Sequence, residues 1–291
     1  MIPRFSLARP RSLAEAFAVH AAADGEGAYV AGGTELLQVM KMGLAQFATL
    51  IDLKGLPELR GVALEPDGAL RIGAATTHRE LERDPLVRGH LPALAGLEAH
   101  LANVRVRNQG TLGGNLAFAE PHSDPATFLL ACDARVELAG PGGRRELPID
   151  EFVLGPLYTA RDADEILVAI RVPATPVGSG RAYEKAKFFE RPAVAVAVQL
   201  EVAGGAVTGA RVAVGSITEV PILVPEAAAA YQGAPATETG LATAGAAAAA
   251  AFAGLDAVDD LNGAADYKRH LAGVLLRRAA LTASREAVGH A

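Results

Sequence analysis

The chain lacks paired cysteines, an excess of positive charge and any long apolar run, and each absence excludes a class of protein. Its single cysteine, Cys132, excludes an internal disulfide, and also an iron–sulfur cluster or zinc site ligated by cysteines of this chain alone. A formal net charge of −6 over 291 residues gives no basic surface for a nucleic-acid partner. No stretch approaches the roughly eighteen apolar residues of a transmembrane segment, and the first ten residues contain no signal-peptide core. We therefore expect a protein of the cytoplasm.

Familiar nucleotide-binding and catalytic motifs are also missing. The sequence has no G-x-x-x-x-G-K-[ST] and no G-x-G-x-x-G that opens a helix, which disfavours a Walker ATPase and a Rossmann dehydrogenase. It has no G-x-S-x-G, no H-E-x-x-H and no cluster of His and Cys. Any chemistry is therefore expected to come from a bound cofactor, with the chain supplying binding and electrostatic field.

A glycine-rich stretch at 108–124, NQGTLGGNLAFAEPHSD, is the first candidate for a cofactor site. Glycine reaches positive φ at little cost and permits close backbone approach, so its N–H groups can turn toward an anion. Taken alone, a single Gly-Gly pair is more typical of an ordinary turn. The candidate residues here are Thr111, Leu112, Gly113, Gly114 and Asn115.

A second glycine loop lies at 28–44, AYVAGGTELLQVMKMGL. A short buried strand is predicted to end at the glycine pair, and Thr34 is predicted to cap the helix that follows. A strand, a glycine turn and a helix N-terminus together form an anion site, and two such loops suit a dinucleotide-sized ligand. The candidate residues here are Tyr29, Val30, Ala31, Gly32, Gly33, Thr34, Glu35 and Leu36.

Three further side chains near these loops need an interpretation. Asp124 is a candidate acceptor for a ribose or ribityl hydroxyl, and equally a helix N-cap before Pro125. His78 follows Thr77 in a predicted capping box with Glu80, where an exposed first-turn position is favoured over a cofactor contact. His122 is likewise predicted to be exposed to solvent.

The remaining pattern predicts two α/β units and a third unit of different composition. Residues 1–55 and 56–175 alternate predicted strands and helices, and the segment 173–180, PATPVGSG, is typical of a linker. Beyond it, three antiparallel strands are predicted, with a hairpin at 203–209, followed by alanine-rich helices of which the last spans about 264–288.

These motifs, in this order, resemble the FAD-binding medium subunit of the molybdenum hydroxylases, the family of xanthine dehydrogenase and aerobic carbon monoxide dehydrogenase. The resemblance covers nearly the whole chain. It is carried by AGGTELLQVMK, IGAATTHREL, VRNQGTLGGNLA with SDP after it, DARVEL, ELPIDEF, YEKAK and ADYKRHLAGVLLRRA.

The resemblance implies an α+β fold with two domains. Residues 1–175 would form an FAD-binding domain of the vanillyl-alcohol-oxidase type, made of two α/β subdomains, and 181–288 a C-terminal domain of antiparallel sheet plus helix bundle. It also implies that Leu167 lies against the flavin, although the apolar strand around it favours an ordinary core leucine. Lys185 would approach the flavin ring and stabilise its reduced, anionic form, the alternative being a solvated lysine at a strand end.

The same resemblance implies partners and a role. A large subunit would hold the molybdenum cofactor, and a small subunit with two two-iron two-sulfur clusters would pass electrons to FAD, in a dimer of heterotrimers. FAD, bound non-covalently, would pass them to NAD, oxygen or a quinone. The sequence departs from the family at 190–193, where Glu190-Arg191-Pro192-Ala193 replaces an acidic segment that relatives commonly carry after an arginine.

Two other functions stay open on the sequence. One is a self-sufficient FAD-dependent oxidoreductase of the vanillyl-alcohol-oxidase type with its own substrate pocket. The other is a nucleotide-binding scaffold without redox chemistry.

Overall fold

The computed structural model describes residues 2–188 and 191–289, which form three main β-sheets with helices packed around them. The first sheet is parallel, with the strand order β1-β3-β2, and α1 and α2 belong to the same unit. The bounds of this unit are β1 (Ser6–Ala8), α1 (Leu13–Ala22), β2 (Gly27–Val30), α2 (Leu36–Lys41) and β3 (Thr49–Asp52).

The second sheet is antiparallel, with the order β4-β5-β10-β6-β7. Its strands are β4 (Val62–Leu64), β5 (Leu70–Gly73), β6 (Arg135–Gly140), β7 (Gly143–Pro148) and β10 (Ile166–Val172), and a separate pair is formed by β8 (Val153–Gly155) and β9 (Tyr158–Thr159). Its helices are α3 (His78–Arg83), α4 (Pro85–His90), α5 (Pro92–Ala99), α6 (Val104–Gln109), α7 (Leu112–Phe118), α8 (Asp124–Ala131) and α9 (Ile149–Phe152).

The third sheet is antiparallel, with the order β11-β12-β13-β14. Its strands are β11 (Ser179–Lys187), β12 (Pro192–Ala203), β13 (Ala206–Gly215) and β14 (Ile222–Leu223), and its helices are α10 (Pro225–Ala229), α11 (Glu238–Ala249) and α12 (Ala265–Gly289). The mixed helix and sheet architecture, with an N-terminal unit followed by a C-terminal one, confirms the predicted fold class.

The central strand β10 explains how the first two sheets come together. Its sequence, ILVAIRV, is almost continuously apolar, so both faces of the strand can be buried. Leu167 and Ile170 belong to the core beneath α5, α7 and α8, whereas Ile166 and Val168 pack with Ile51 of β3. One strand therefore contributes to two cores and fixes the first sheet against the second.

Four leucines, at positions 91, 94, 97 and 101, recur at helical spacing, a pattern that predicts a buried helix face. Leu91, Leu94, Leu97 and Leu101 are each less than 9 % exposed. The capping box of Thr77 and Glu80 is present in full. These positions follow from local periodicity and capping chemistry, which a sequence contains in full.

The predicted linker and strand count of the C-terminal part need correction. Four strands are present among the described residues instead of three, because β14 is only two residues long and gives no periodic signal. Ser179 and Gly180, placed in the linker at 173–180, already belong to β11 and are buried. The hairpin prediction is confirmed, since β12 and β13 are joined by Gly204 and Gly205, both with positive φ.

No described helix is both long enough and apolar enough to cross a membrane.

The contact between β11 and α12 requires glycine at position 180. A Cβ built on Gly180 would lie 2.0 Å from the carbonyl oxygen of Ala283 and 2.7 Å from the backbone nitrogen of Ala287. We expect Gly180→Ala to lower the free energy of unfolding by about 1–3 kcal/mol, because the strand must move away from the helix. Chemical denaturation measures the change.

Gly142→Ala is the matched control, because a Cβ there would meet nothing within 4 Å. Equal stability of the Gly180 and Gly142 variants would contradict the packing explanation.

Candidate functional site

A cleft of about 710 Å³ runs between the two glycine loops and reaches the C-terminal unit. This volume lies within the range of roughly 300–1,000 Å³ that is usual for cofactor sites. Fourteen of the sixteen residues predicted from the sequence line it: Tyr29, Val30, Ala31, Gly32, Gly33, Thr34, Glu35, Leu36, Thr111, Gly113, Gly114, Asn115, Asp124 and Leu167. The other two, Leu112 and Lys185, lie behind the wall.

The loop at 31–35 presents free backbone donors. Within the described residues, the N–H groups of Gly32, Gly33 and Thr34 form no hydrogen bond. Gly33 has a φ of +71°, a conformation that glycine adopts without strain. Successive amides in such a turn can surround an anion, so this loop has the chemistry of a phosphate site.

Thr34 does not cap the helix after this loop, so that prediction is wrong. Helix α2 begins at Leu36, and its N-cap position is Glu35, which makes no side-chain capping bond. The chain instead passes through a turn at Thr34 and Glu35 before the helix begins. In the first turn of α2, the N–H of Leu37 donates to Gly33 O (3.2 Å) and that of Gln38 to Glu35 O (2.9 Å), so the free donors are those of the loop before the helix.

The loop at 110–115 differs from its prediction, because, among the described residues, five of its six N–H groups, all but that of Thr111, already donate inside the protein. The N–H of Leu112 donates to Thr76 O (3.1 Å), and that of Gly113 to Ala74 O (2.9 Å). The N–H of Gly114 donates to the Thr111 hydroxyl at 3.1 Å, which caps α7. This loop is therefore a rigid wall and not an open nest of donors.

Glycine in the loop at 110–115 serves close packing, since neither Gly113 nor Gly114 has positive φ. A Cβ on Gly113 would lie 2.4 Å from the Cβ of Ala74, which shows how closely α7 approaches the end of β5. Leu112, at the start of the same helix, is fully buried in the core. Its position explains why it does not reach the cleft.

The two loops touch each other at Gly32. A Cβ there would lie 2.4 Å from Gln109 O and 2.6 Å from the Cα of Gly110. The side-chain-free backbone at Gly32 thus lets sequence positions nearly eighty residues apart form one continuous surface.

Asp124 is not the N-cap of α8, so that interpretation is wrong. Ser123 holds the cap position, and its hydroxyl accepts from the N–H of Ala126 at 3.2 Å. The carboxylate of Asp124 is thereby free to accept from the Tyr183 hydroxyl and from Nζ of Lys185, the latter at 2.6 Å.

Lys185 is neither solvated nor at the cleft surface. Its side chain is 10 % exposed, and Nζ also donates to His100 O at 3.2 Å. Burial and the neighbouring Asp124 carboxylate together raise the pKa of Tyr183 well above its usual value, so its hydroxyl stays a donor. The C-terminal unit therefore fixes the orientation of Asp124.

Leu167 is a core residue, as the apolar strand around it predicted. It is 5 % exposed and belongs to the main hydrophobic core, and it also forms part of the cleft wall.

Both histidine predictions are wrong. His78 is 2 % exposed, and its Nδ1 lies 2.7 Å from Oε2 of the fully buried Glu98. His122 is half-buried between Glu120 and Asp260. Glu98 and Asp260 are distant in sequence from the histidines they contact, and Glu120 meets His122 only because the chain turns there. The spacing of residues in the sequence therefore gave no signal that either histidine is buried.

Arg161 is a cleft residue that the sequence reasoning missed. Its Nη1 donates to the carbonyls of Asp162 (2.8 Å) and Glu165 (2.7 Å), which holds the guanidinium in place. In the described part of the chain, no carboxylate lies within 4.0 Å of it, and burial lowers its pKa. The carboxylates of Glu165, Asp162 and Asp164 attract the guanidinium from beyond that distance, but burial outweighs them. A buried cation with no direct ion pair in a cleft favours an anionic ligand.

Arg191 also lines the cleft. It donates to Glu120 at 2.6 Å and lies 3.5 Å from Glu35. Glu190, the neighbouring member of the divergent segment, lies outside the described residues.

Removing the carboxylate of Asp124 tests its burial directly. We expect Asp124→Ala to lower the free energy of unfolding by about 3–5 kcal/mol, because it leaves the Lys185 ammonium buried and unpaired. Thermal and chemical denaturation measure the loss.

Asp266→Ala is the control, since its side chain is 96 % exposed in an i,i+3 pair with Arg269, and we expect a loss below about 1 kcal/mol. A similar small effect at both positions would show that Lys185 finds water when Asp124 is absent.

Comparisons with known proteins identify the family of the chain. The family described as FAD binding domain in molybdopterin dehydrogenase matches residues 3–175, and that described as CO dehydrogenase flavoprotein C-terminal domain matches residues 181–283. The carbon monoxide dehydrogenase medium chain of Hydrogenophaga pseudoflava is 36 % identical, covering 95 % of this chain and 96 % of its own. The nicotine 6-hydroxylase medium subunit of Paenarthrobacter nicotinovorans is 33 % identical with the same coverage.

Among solved structures, carbon monoxide dehydrogenase from Hydrogenophaga pseudoflava matches with a TM-score of 0.91 and 36 % identity, covering 98 % of this chain and 99 % of that one. Sequence and fold thus agree over nearly the whole length. The chain belongs to the family of FAD-binding medium subunits of molybdenum hydroxylases, as its glycine loops predicted.

Proposed function

We propose that this chain is the electron-transfer subunit of a cytoplasmic molybdenum-containing hydroxylase or dehydrogenase. In this proposal a small iron–sulfur subunit supplies electrons, a large subunit holds the molybdenum cofactor, and the complex is a dimer of heterotrimers. The acceptor is NAD, oxygen or a quinone. The observation that carries the proposal is one cleft in which backbone donors and a guanidinium lie together, the donors without hydrogen bonds and the guanidinium without a direct ion pair among the described residues.

The residues present fit FAD on three counts. The free N–H groups of Gly32, Gly33 and Thr34 suit the pyrophosphate, whose charge a positive guanidinium at Arg161 would also complement. The apolar wall at Leu167 suits a flat ring, and the carboxylate of Asp124 suits a hydroxyl of the ribityl chain. When bound, FAD supplies the redox chemistry that the side chains lack.

The role of each residue then follows from its contacts. Thr111 and the packed glycines beside it keep the wall rigid, because their hydrogen bonds are satisfied within the protein. Lys185 acts on the cofactor through Asp124, whose carboxylate it holds in place. The side-chain oxygen of Asn115 accepts from the Ser123 hydroxyl at 2.6 Å. This bond fixes the orientation of the side-chain NH₂ group of Asn115. These roles make residues 1–175 the cofactor domain and 181–288 the domain that positions Asp124.

The chain offers no donor site of its own for electrons. Its single cysteine is fully buried, with a pKa raised to about 11 by that burial, and the described residues include no cluster of His, Cys, Asp or Glu fit for a metal. Electrons would therefore come from a partner that docks near the cleft. The organic substrate would be oxidised in another subunit.

The proposal is tested by comparing the chain alone with the chain in its complex. Purified alone, it should bind about one equivalent of FAD, release it on acid denaturation, and show no rapid flavin reduction by carbon monoxide, aldehydes or aromatic heterocycles. Co-expressed with molybdenum and iron–sulfur subunits, it should be reduced by the substrate of that complex. Fast reduction of the isolated chain would instead indicate a self-sufficient oxidoreductase, and absence of FAD binding would contradict both.

The loop contact at Gly32 gives a sharper test of the site. Gly32→Ala should raise the Kd for FAD by roughly tenfold or more, because the added Cβ forces the loops apart. Fluorescence titration with FAD measures the affinity. Gly55→Ala is the control, since a Cβ there meets nothing within 4 Å. Wild-type affinity in the Gly32 variant would show that the loop contact does not shape the site.

The guanidinium of Arg161 gives another test of the proposed phosphate site. Arg161→Met should raise the Kd for FAD about 5- to 10-fold and weaken its dependence on ionic strength, because one cation facing a diphosphate is lost. Arg135→Met serves as the control, since Arg135 pairs with Glu146 outside the cleft. An unchanged salt dependence would remove Arg161 from the phosphate site.

A further inference from the structure

The turn at 119–123, between α7 and α8, is held from the C-terminal side as well as from its own domain. Glu120, His122 and Ser123 of this turn line the cleft. Directly after the turn, Asp124 is bonded by Tyr183 and Lys185 of β11. At His122 a second and separate connection reaches the segment before α12.

The imidazole of His122 lies between two carboxylates. Its Nδ1 is 2.9 Å from Oε1 of Glu120, and its Nε2 is 3.2 Å from Oδ2 of Asp260. An ionised carboxylate only accepts hydrogen bonds, so both ring nitrogens must donate, which requires the charged form of histidine. The hydrogen bond to Glu120 raises the pKa of His122 above its usual value, and the Asp260 carboxylate raises it further, in agreement with this geometry.

Asp260 is itself firmly anchored. It accepts from Nζ of Lys268 at 2.7 Å and from the N–H of Asn262 at 2.7 Å. Lys268 is 1 % exposed and also donates to the carbonyls of Val258 (3.0 Å) and Ser216 (3.3 Å), so its three donors are all used. Burial would raise the pKa of Asp260, but the bonds from Lys268, Asn262 and His122 lower it to about 2.

The charges around His122 therefore alternate along one chain of contacts. Glu120, on the same turn, is held by Arg191 at 2.6 Å. Burial would raise the pKa of Glu120, but bonds from His122 and the Arg191 charge outweigh it and lower the pKa. Arg191, Glu120, His122, Asp260 and Lys268 are thus positive and negative in turn, and His122 is the member that titrates near neutral pH.

We propose that His122 is a positioning residue which, in its charged form, links the cleft-lining turn at 119–123 to the C-terminal domain through Asp260 and Lys268, and thereby slows the release of FAD. This inference rests on the proposed cofactor site and adds a pH dependence to it. Charged His122 holds both carboxylates, whereas the neutral ring can donate to only one of them.

The direction of the pH effect follows from the raised pKa. The link is complete below the ordinary pKa of histidine and is lost as pH rises through the raised pKa of His122 in the folded protein. The rate of FAD release should therefore be low and constant at mildly acidic pH and should increase about 3- to 10-fold toward pH 9, the range expected for a partly buried ion pair.

The experiment measures FAD release from the full-length chain between about pH 6 and 9, the histidine range. His122→Gln should release FAD at the fast rate at all pH values in that range, because glutamine cannot become charged. Asp260→Asn, which keeps an oxygen for Lys268, should also lose most of the pH dependence. Asp266→Asn is the matched control in the same region and should keep the wild-type profile, since that side chain is 96 % exposed.

A second measurement does not need the cofactor. In FAD-free chain, hydrogen exchange of the amides of the turn at 119–123, apart from Pro121, should quicken above neutral pH relative to the intrinsic rate in the wild type. The variant His122→Gln should remove that dependence. A wild-type pH profile of FAD release in His122→Gln, or identical exchange at 119–123 in both proteins, would overturn the inference. Because the exchange test works without FAD, failure of the cofactor proposal would be seen separately, as absence of binding.

Discussion

The candidate site depends on the direct contact between two backbone segments at Gly32. Any side chain there would collide with Gln109 and Gly110, so the contact can exist only with glycine. It brings the free amides of one loop against the rigid, internally bonded wall of the other. The cleft between the two loops is a consequence of that approach. The loop at 31–35 offers the donors, and the loop at 110–115 supports it.

The two glycine loops look alike in sequence but have different physical roles. At 31–35 the turn contains a positive φ and leaves N–H groups unpaired within the described residues, which is what an anion requires. At 110–115 the amides donate to Ala74, Thr76 and the Thr111 hydroxyl, and the glycines allow α7 to pack against β5. Glycine content alone cannot distinguish these cases, because close packing and ligand approach both require the absence of Cβ.

The C-terminal domain contributes to the cleft through charged side chains that hold the turn at 119–123 and the residue directly after it. Lys185 orients Asp124 from β11, and Asp260 reaches His122 from the segment before α12. Both connections end on buried lysines, so each is costly to break. The cofactor domain is thus completed by contacts from the C-terminal domain.

The sequence by itself determined the fold class, the helical core positions and the family, because periodicity, capping and ordered motifs are local or linear properties of the chain. Leu91 and the Thr77 cap are examples. The tertiary structure alone decided which ionisable groups are buried and with what partners. His78 meets Glu98, and Arg161 is buried without a direct ion pair among the described residues, through contacts that depend on how separate elements pack. Burial and pairing depend on three-dimensional distance, and sequence spacing does not specify that distance.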